Sequence, residues 1–145
     1  MATQGYAAYK EARVTTASGG RLIVMLYDAA VKRLAASLEA LEENAYEDVH
    51  NHLIKVQDIL AELSGSLDMQ FEISKNLYAL YEYCTDRLIA ANISKDAAPI
   101  KEVLGYLTEL RDAWQQAVQI DARAHAEAKL ERKGASSANG IEISG

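Results

Sequence analysis

Apolar residues recur at threes and fours along most of the chain, the period of an α-helix that buries one side. The cleanest run is Tyr46, Val49, Leu53, Val56, Leu60, Leu63 and Leu67, spaced 3, 4, 3, 4, 3, 4. It predicts a helix that starts at Tyr46 and passes through Ser64, Gly65 and Ser66. Upstream, Leu22, Ile23, Leu26, Tyr27, Ala30, Leu34, Leu38 and Leu41 predict a helix over residues 19–43. Downstream, Ile100, Val103, Leu107, Leu110, Trp114 and Ala117 repeat at 3, 4, 3, 4, 3. The next seam position is Asp121, so burial is expected to end near Val118.

Residues 76–92 form the remaining periodic stretch. Leu77, Leu80, Tyr81, Cys84, Leu88 and Ala91 fall on one arc, with Ile73 just before them. Tyr78 and Ile89 lie together off that arc, and Tyr83 sits on the opposite flank. This helix carries more apolar and aromatic surface than one seam needs. Either it is central, with neighbours on both sides, or its second face receives a partner segment.

The punctuation between these runs is short. Ser18 is placed to cap the first helix, but Arg21 stands where a capping box would have an acid, and its charge opposes the helix dipole. Residues 68–71 break the second helix from the third. Residues 92–96 form the next turn, with Asp96 as the cap of the fourth helix and Pro99 in its first turn, where a missing N–H costs little. The sequence therefore predicts an all-α, antiparallel four-helix bundle over residues 1–118, capped by a short N-terminal amphipathic segment that carries Tyr6 and Tyr9. A polar helical extension is expected over 119–133 and a disordered Gly/Ser/Ala-rich tail over 134–145.

Composition narrows the function. The chain has 145 residues, half of them hydrophobic, and a formal charge of −6 with its basic residues dispersed. That distribution offers no basic patch for phosphates and argues against a nucleic-acid binder. The single cysteine, Cys84, excludes an internal disulfide and points to a reducing, cytoplasmic setting. No apolar run approaches the roughly 20 residues of a bilayer span, so no membrane insertion is expected, and no signal peptide is visible at the N-terminus.

Candidate chemistry is sparse. Glu47 and His50 form a Glu-x-x-His unit of the kind found in di-iron bundles, but no second copy exists to complete a site. His52 and Lys55 have the spacing of a phosphotransfer histidine with a lysine one turn away. Leu53, Ile54 and Val56 crowd that histidine, whereas a phosphotransfer partner needs small neighbours. No cofactor, metal or catalytic set is assigned, and a binding role outranks an enzyme. The alternatives are a homo-oligomeric structural bundle and a histidine phosphotransfer bundle using His52.

Three stretches together carry a resemblance. They are Val14-Thr15-Thr16-Ala17-Ser18 with Leu22-Ile23-Val24-Met25-Leu26-Tyr27-Asp28, then residues 76–92, then Leu107-Thr108-Glu109-Leu110-Arg111-Asp112-Ala113-Trp114. In this order and spacing the chain resembles the flagellar secretion chaperones of the FliS family, across nearly the whole bundle. It departs from the family pattern at Gly19 and Arg21, at Cys84, and at Asp86 before a single Arg87. The resemblance implies a cytosolic, non-enzymatic chaperone that binds the disordered C-terminal segment of flagellin. It also implies delivery to the flagellar export gate, with a co-chaperone or regulator as a further partner. On that reading Tyr78, Tyr83, Ile89, Leu80, Arg87 and Asn92 are the expected client-binding residues. Tyr6, Tyr9 and Val14 belong to a segment that gates the same surface. Unloaded, the acidic bundle is expected to be a monomer or weak homodimer. Arg87 and Asn92 also have simpler readings, as a surface ion pair and a helix C-cap.

Overall fold

The computed structural model describes the backbone of residues 19–144 and the side chains of residues 19–134. Four helices follow in order: α1 (Gly19–Glu42), α2 (Tyr46–Gly65), α3 (Glu72–Ser94) and α4 (Ala97–Ser144). Each packs on its neighbours in sequence, and α4 closes the ring by packing on α1. The result is an antiparallel four-helix bundle in which α1 faces α3, and α2 faces α4, only across the diagonals.

The connections are tight because their residues tolerate unusual backbone. Asn44, at φ 58°, turns α1 into α2. The Ala45 N–H then donates to the Ala40 carbonyl at 2.8 Å. Lys95, at φ 54° and ψ 48°, ends α3 in the left-handed region that glycine would occupy without strain. Asp96 then caps α4, its carboxylate accepting the Ala98 N–H at 3.1 Å. The first turn of α1 holds no acid, and Ser18 lies outside the described residues.

The core follows the seams with small rotations. Val49, Leu53, Val56, Leu60 and Leu63 are all fully buried on α2, as are Ile100, Val103 and Leu107 on α4. The α1 stripe is Ile23, Tyr27, Ala30, Leu34, Ser37 and Ala40. Ser37, absent from the hydrophobic pattern, is tolerated there because its hydroxyl donates to the Leu34 carbonyl at 2.7 Å. Two seam positions turn outward instead. Leu22 and Tyr46 each lie in a first helical turn, and both are exposed, although Ile23 beside Leu22 is fully buried. Tyr46 turns its hydroxyl to Asn44.

On α4 the last core residue is Ala117. The helix runs on unbroken to Ser144, through positions 118 and 133, where the sequence predicts divisions. No proline follows Pro99 to interrupt it. Composition predicts a disordered tail at 134–145, whereas the backbone is helical there up to Ser144. Residues 122–134 are all exposed, so among the described residues nothing in the bundle packs on this part of the helix.

Candidate functional site

Helix α3 buries Ser74, Leu77, Tyr81, Cys84, Leu88 and Ala91 on its inner arc. Its surplus apolar residues are left on the two flanks. Tyr78, Tyr83 and Ile89 are each a little over two-fifths exposed, and Ile93 is 82% exposed. Helical periodicity sends these residues to different sides. Tyr78, Ile89 and Asn92 share the flank toward α2, whereas Leu80, Tyr83 and Arg87 share the flank toward α4. The six expected client-binding residues are thus divided between the two flanks of α3 rather than gathered on one face. Leu80 is half-buried and packs against the core.

The α2–α3 groove has a volume of about 230 Å³ and is open to solvent. Ile54, Ile89 and Ile93 line it, with His50, Gln57, Asn92 and Lys95 around them. One polar relay closes its end. Lys95 donates to the Asn92 side-chain carbonyl. The Asn92 amide nitrogen is therefore the donor to His50 Nδ1, at 2.8 Å. This arrangement corrects the C-cap reading of Asn92, because α3 continues to Ser94 and Lys95 is the cap.

The α3–α4 flank is polar and aromatic. Arg87 donates its Nε–H to Glu102 at 2.8 Å, which is the ion pair expected of it as an alternative to client contact. The Tyr83 hydroxyl donates to the same carboxylate at 2.6 Å, and the Tyr106 hydroxyl at 3.3 Å. The two rings stand edge to face, 6.4 Å apart and inclined at 68°. The Tyr83 hydroxyl first, and then Arg87, hold the Glu102 carboxyl below the usual range. In return Glu102 raises both phenols. Glu102 and Tyr106 were not singled out in the sequence, although their spacing of four on the off-seam side of α4 would have placed them together.

The candidate chemistry fares differently. His52 is half-buried on the α1 side, where its Nδ1 accepts from Arg33 at 3.3 Å. His50 belongs to the groove described above. Cys84 is fully buried in the core, and burial together with the nearby Glu102 carboxylate pushes its thiol up to about 11. Among the described residues no three His, Cys, Asp or Glu side chains are grouped to hold a metal. No helix among them is long and apolar enough to cross a membrane. Tyr6, Tyr9 and Val14 lie outside the described residues.

Comparison with known proteins agrees with this architecture. The family model described as Flagellar protein FliS matches residues 2–121. The flagellar secretion chaperone FliS of Bacillus subtilis (strain 168) is 40% identical over 124 residues, covering 85% of this chain and 93% of that protein. Its counterpart in Escherichia coli (strain K12) is 32% identical over 120 residues, covering 80% and 88%. That in Salmonella typhimurium is 37% identical over 109 residues, covering 73% and 81%. With a family match that takes in the whole core, from Ile23 to Ala117, and relatives spanned over most of their length, this four-helix chain belongs to the FliS family.

Proposed function

We propose that the protein is a flagellar secretion chaperone whose client is the C-terminal segment of flagellin, held in the cytosol before export. The observation that carries this reading is the family match over residues 2–121, joined to a bundle that leaves apolar side chains on both flanks of one helix. A client that is disordered when free loses conformational entropy on binding, so it must gain a long apolar contact in exchange. The two flanks of α3 together offer such a contact to a segment that crosses the helix. Tyr78, Ile89 and Asn92 with Ile54 and Ile93 would take one part of it, and Leu80, Tyr83 and Arg87 another. Tyrosine suits this role because it buries a large ring while its hydroxyl stays hydrogen-bonded.

In this proposal residues 1–118 are the client-binding unit. The segment with Tyr6, Tyr9 and Val14 covers these flanks and is displaced by the client, and the loaded complex is what the export gate receives. A co-chaperone or regulator would compete for the same surface. Residues 119–133 project from the bundle as a polar extension ahead of the tail. The chain takes no cofactor and carries out no reaction in this role.

Calorimetric titration with flagellin from the same source, full-length and lacking its C-terminal segment, tests the reading. One-to-one binding by the first and none by the second, with a large negative heat-capacity change, is the expected result. Binding by neither would overturn it.

A further inference from the structure

The cluster on the α3–α4 flank has a geometry that client contact alone does not account for. One oxygen of Glu102, Oε2, accepts both phenol hydroxyls, Tyr83 at 2.6 Å and Tyr106 at 3.3 Å. The other, Oε1, accepts Arg87 Nε at 2.8 Å. A carboxylate acceptor makes these bonds stronger than neutral ones would be. Exposed tyrosines on helices are normally free to change rotamer. Here both hydroxyls are drawn to one atom from two different helices, which fixes the rings edge to face at 68°. With both hydroxyls engaged, what a partner meets on this flank is ring surface. Both rings remain exposed to solvent, Tyr83 at 44% and Tyr106 at 37%.

We propose that Glu102 is a positioning residue: it holds Tyr83 and Tyr106 as a preformed aromatic notch between α3 and α4, into which an apolar side chain of the client packs. The inference rests on the chaperone reading and refines it. Arg87 also neutralises Glu102 and keeps its carboxylate turned to the two tyrosines. A notch already formed before binding spares the client the entropy loss of ordering two long side chains. That saving corresponds to about tenfold in affinity.

The test is a cycle of variants titrated with the same full-length flagellin, namely Glu102→Ala, the double variant Tyr83→Ala/Tyr106→Ala, and all three together. A positioning residue acts only through the rings. Glu102→Ala should therefore weaken binding about tenfold in the parent protein and not at all in the ringless background. Glu102→Gln, which keeps an acceptor for the hydroxyls, should recover part of the loss and provides the measurement if Glu102→Ala fails to fold. In the free protein, NMR of labelled tyrosine rings should show two signals that shift in Glu102→Ala and titrate at lower pH than in the parent.

An undiminished loss in the ringless background would mean that Glu102 itself meets the client, and would overturn the proposal. So would unchanged affinity in Glu102→Ala when the double tyrosine variant binds poorly, or tyrosine signals that ignore Glu102→Ala. Each of these leaves the chaperone reading intact. Failure of the parent protein to bind flagellin would overturn both.

Discussion

The hydroxyls of Tyr27 and Tyr81 share a hydrogen bond across the diagonal of the bundle, joining α1 to α3, two helices whose backbones are not adjacent. Both residues are fully buried, and the Tyr27 ring also lies 6.5 Å from that of Trp114 on α4. Two large rings meeting tip to tip fill the centre of the bundle, where a pair of leucines would leave a void. Their polar atoms satisfy each other there. The pair fixes the relative height of α1 and α3, and with it the position of the α3 flanks.

Tyr27→Phe and Tyr81→Phe are each expected to cost about 1–3 kcal/mol, because the remaining hydroxyl loses a buried partner. The double replacement should cost less than the two single losses added together. Urea denaturation of the three variants measures this, and strict additivity would mean that the two hydroxyls do not interact.

On the α3 flank toward α2, Ile89→Ala and Tyr78→Ala should weaken client binding while moving the melting temperature by no more than a few degrees, since neither side chain belongs to the buried core. Loss of stability with unchanged affinity would remove them from the client path. Tyr6→Ala with Tyr9→Ala should leave affinity unchanged or tighten it if that segment is a displaceable cover.

Gly105 lies inside α4 on an exposed face with open space around it. Gly105→Ala should stabilise the bundle by about 0.5–1 kcal/mol, by reducing the freedom of the unfolded chain and favouring helix. A thermal melt that shifts down instead would reveal a contact at this surface.

The pH dependence follows from two carboxylates. Glu102 is held low, first by Tyr83 and then by Arg87, and Asp28 first by its hydrogen bond to Lys32, with Arg111 adding to it. A carboxyl lowered in the folded state contributes stability above its unfolded value, and that contribution disappears as pH falls through the folded value. Stability should therefore decline below about pH 4.3, and less steeply in Glu102→Gln/Asp28→Asn. At the alkaline end Tyr83 and Tyr106 are raised, so their contribution is present below about pH 10 and lost above it. Denaturation midpoints across these two ranges check both signs.

Ending the chain after Ala122 removes only exposed side chains among the described residues. The truncated protein should keep its melting temperature and lose helical signal by circular dichroism. A large drop in stability would mean that the long arm of α4 folds back on the bundle.

The sequence made the architecture legible because each seam reports burial directly: a residue that recurs at 3 and 4 has few places to go except inward. Helix ends were harder. Leu22 and Tyr46 continue their seams in pattern and yet lie exposed, since a run that includes both Leu22 and Ile23 does not say which of two adjacent residues turns inward. Site residues were harder still. That Tyr78 and Ile89 stand apart from Tyr83 follows from helical angles alone. Which neighbour each flank meets depends on the packing order of the helices. Glu102 escaped notice because one helix supplies it and the other supplies Tyr83 and Arg87, a relation that no spacing within α4 encodes.

Cys84 has a practical consequence. Its thiol is fully buried and pushed up to about 11, which disfavours the reactive thiolate at neutral pH and shields it within the core. The native protein should therefore resist maleimides under conditions in which a surface cysteine is fully labelled. A single cysteine introduced at Ile93, or on the arm of α4, would carry a spin label or fluorophore without any need to remove Cys84. The movement of a client across α3 could then be followed in an otherwise unaltered bundle.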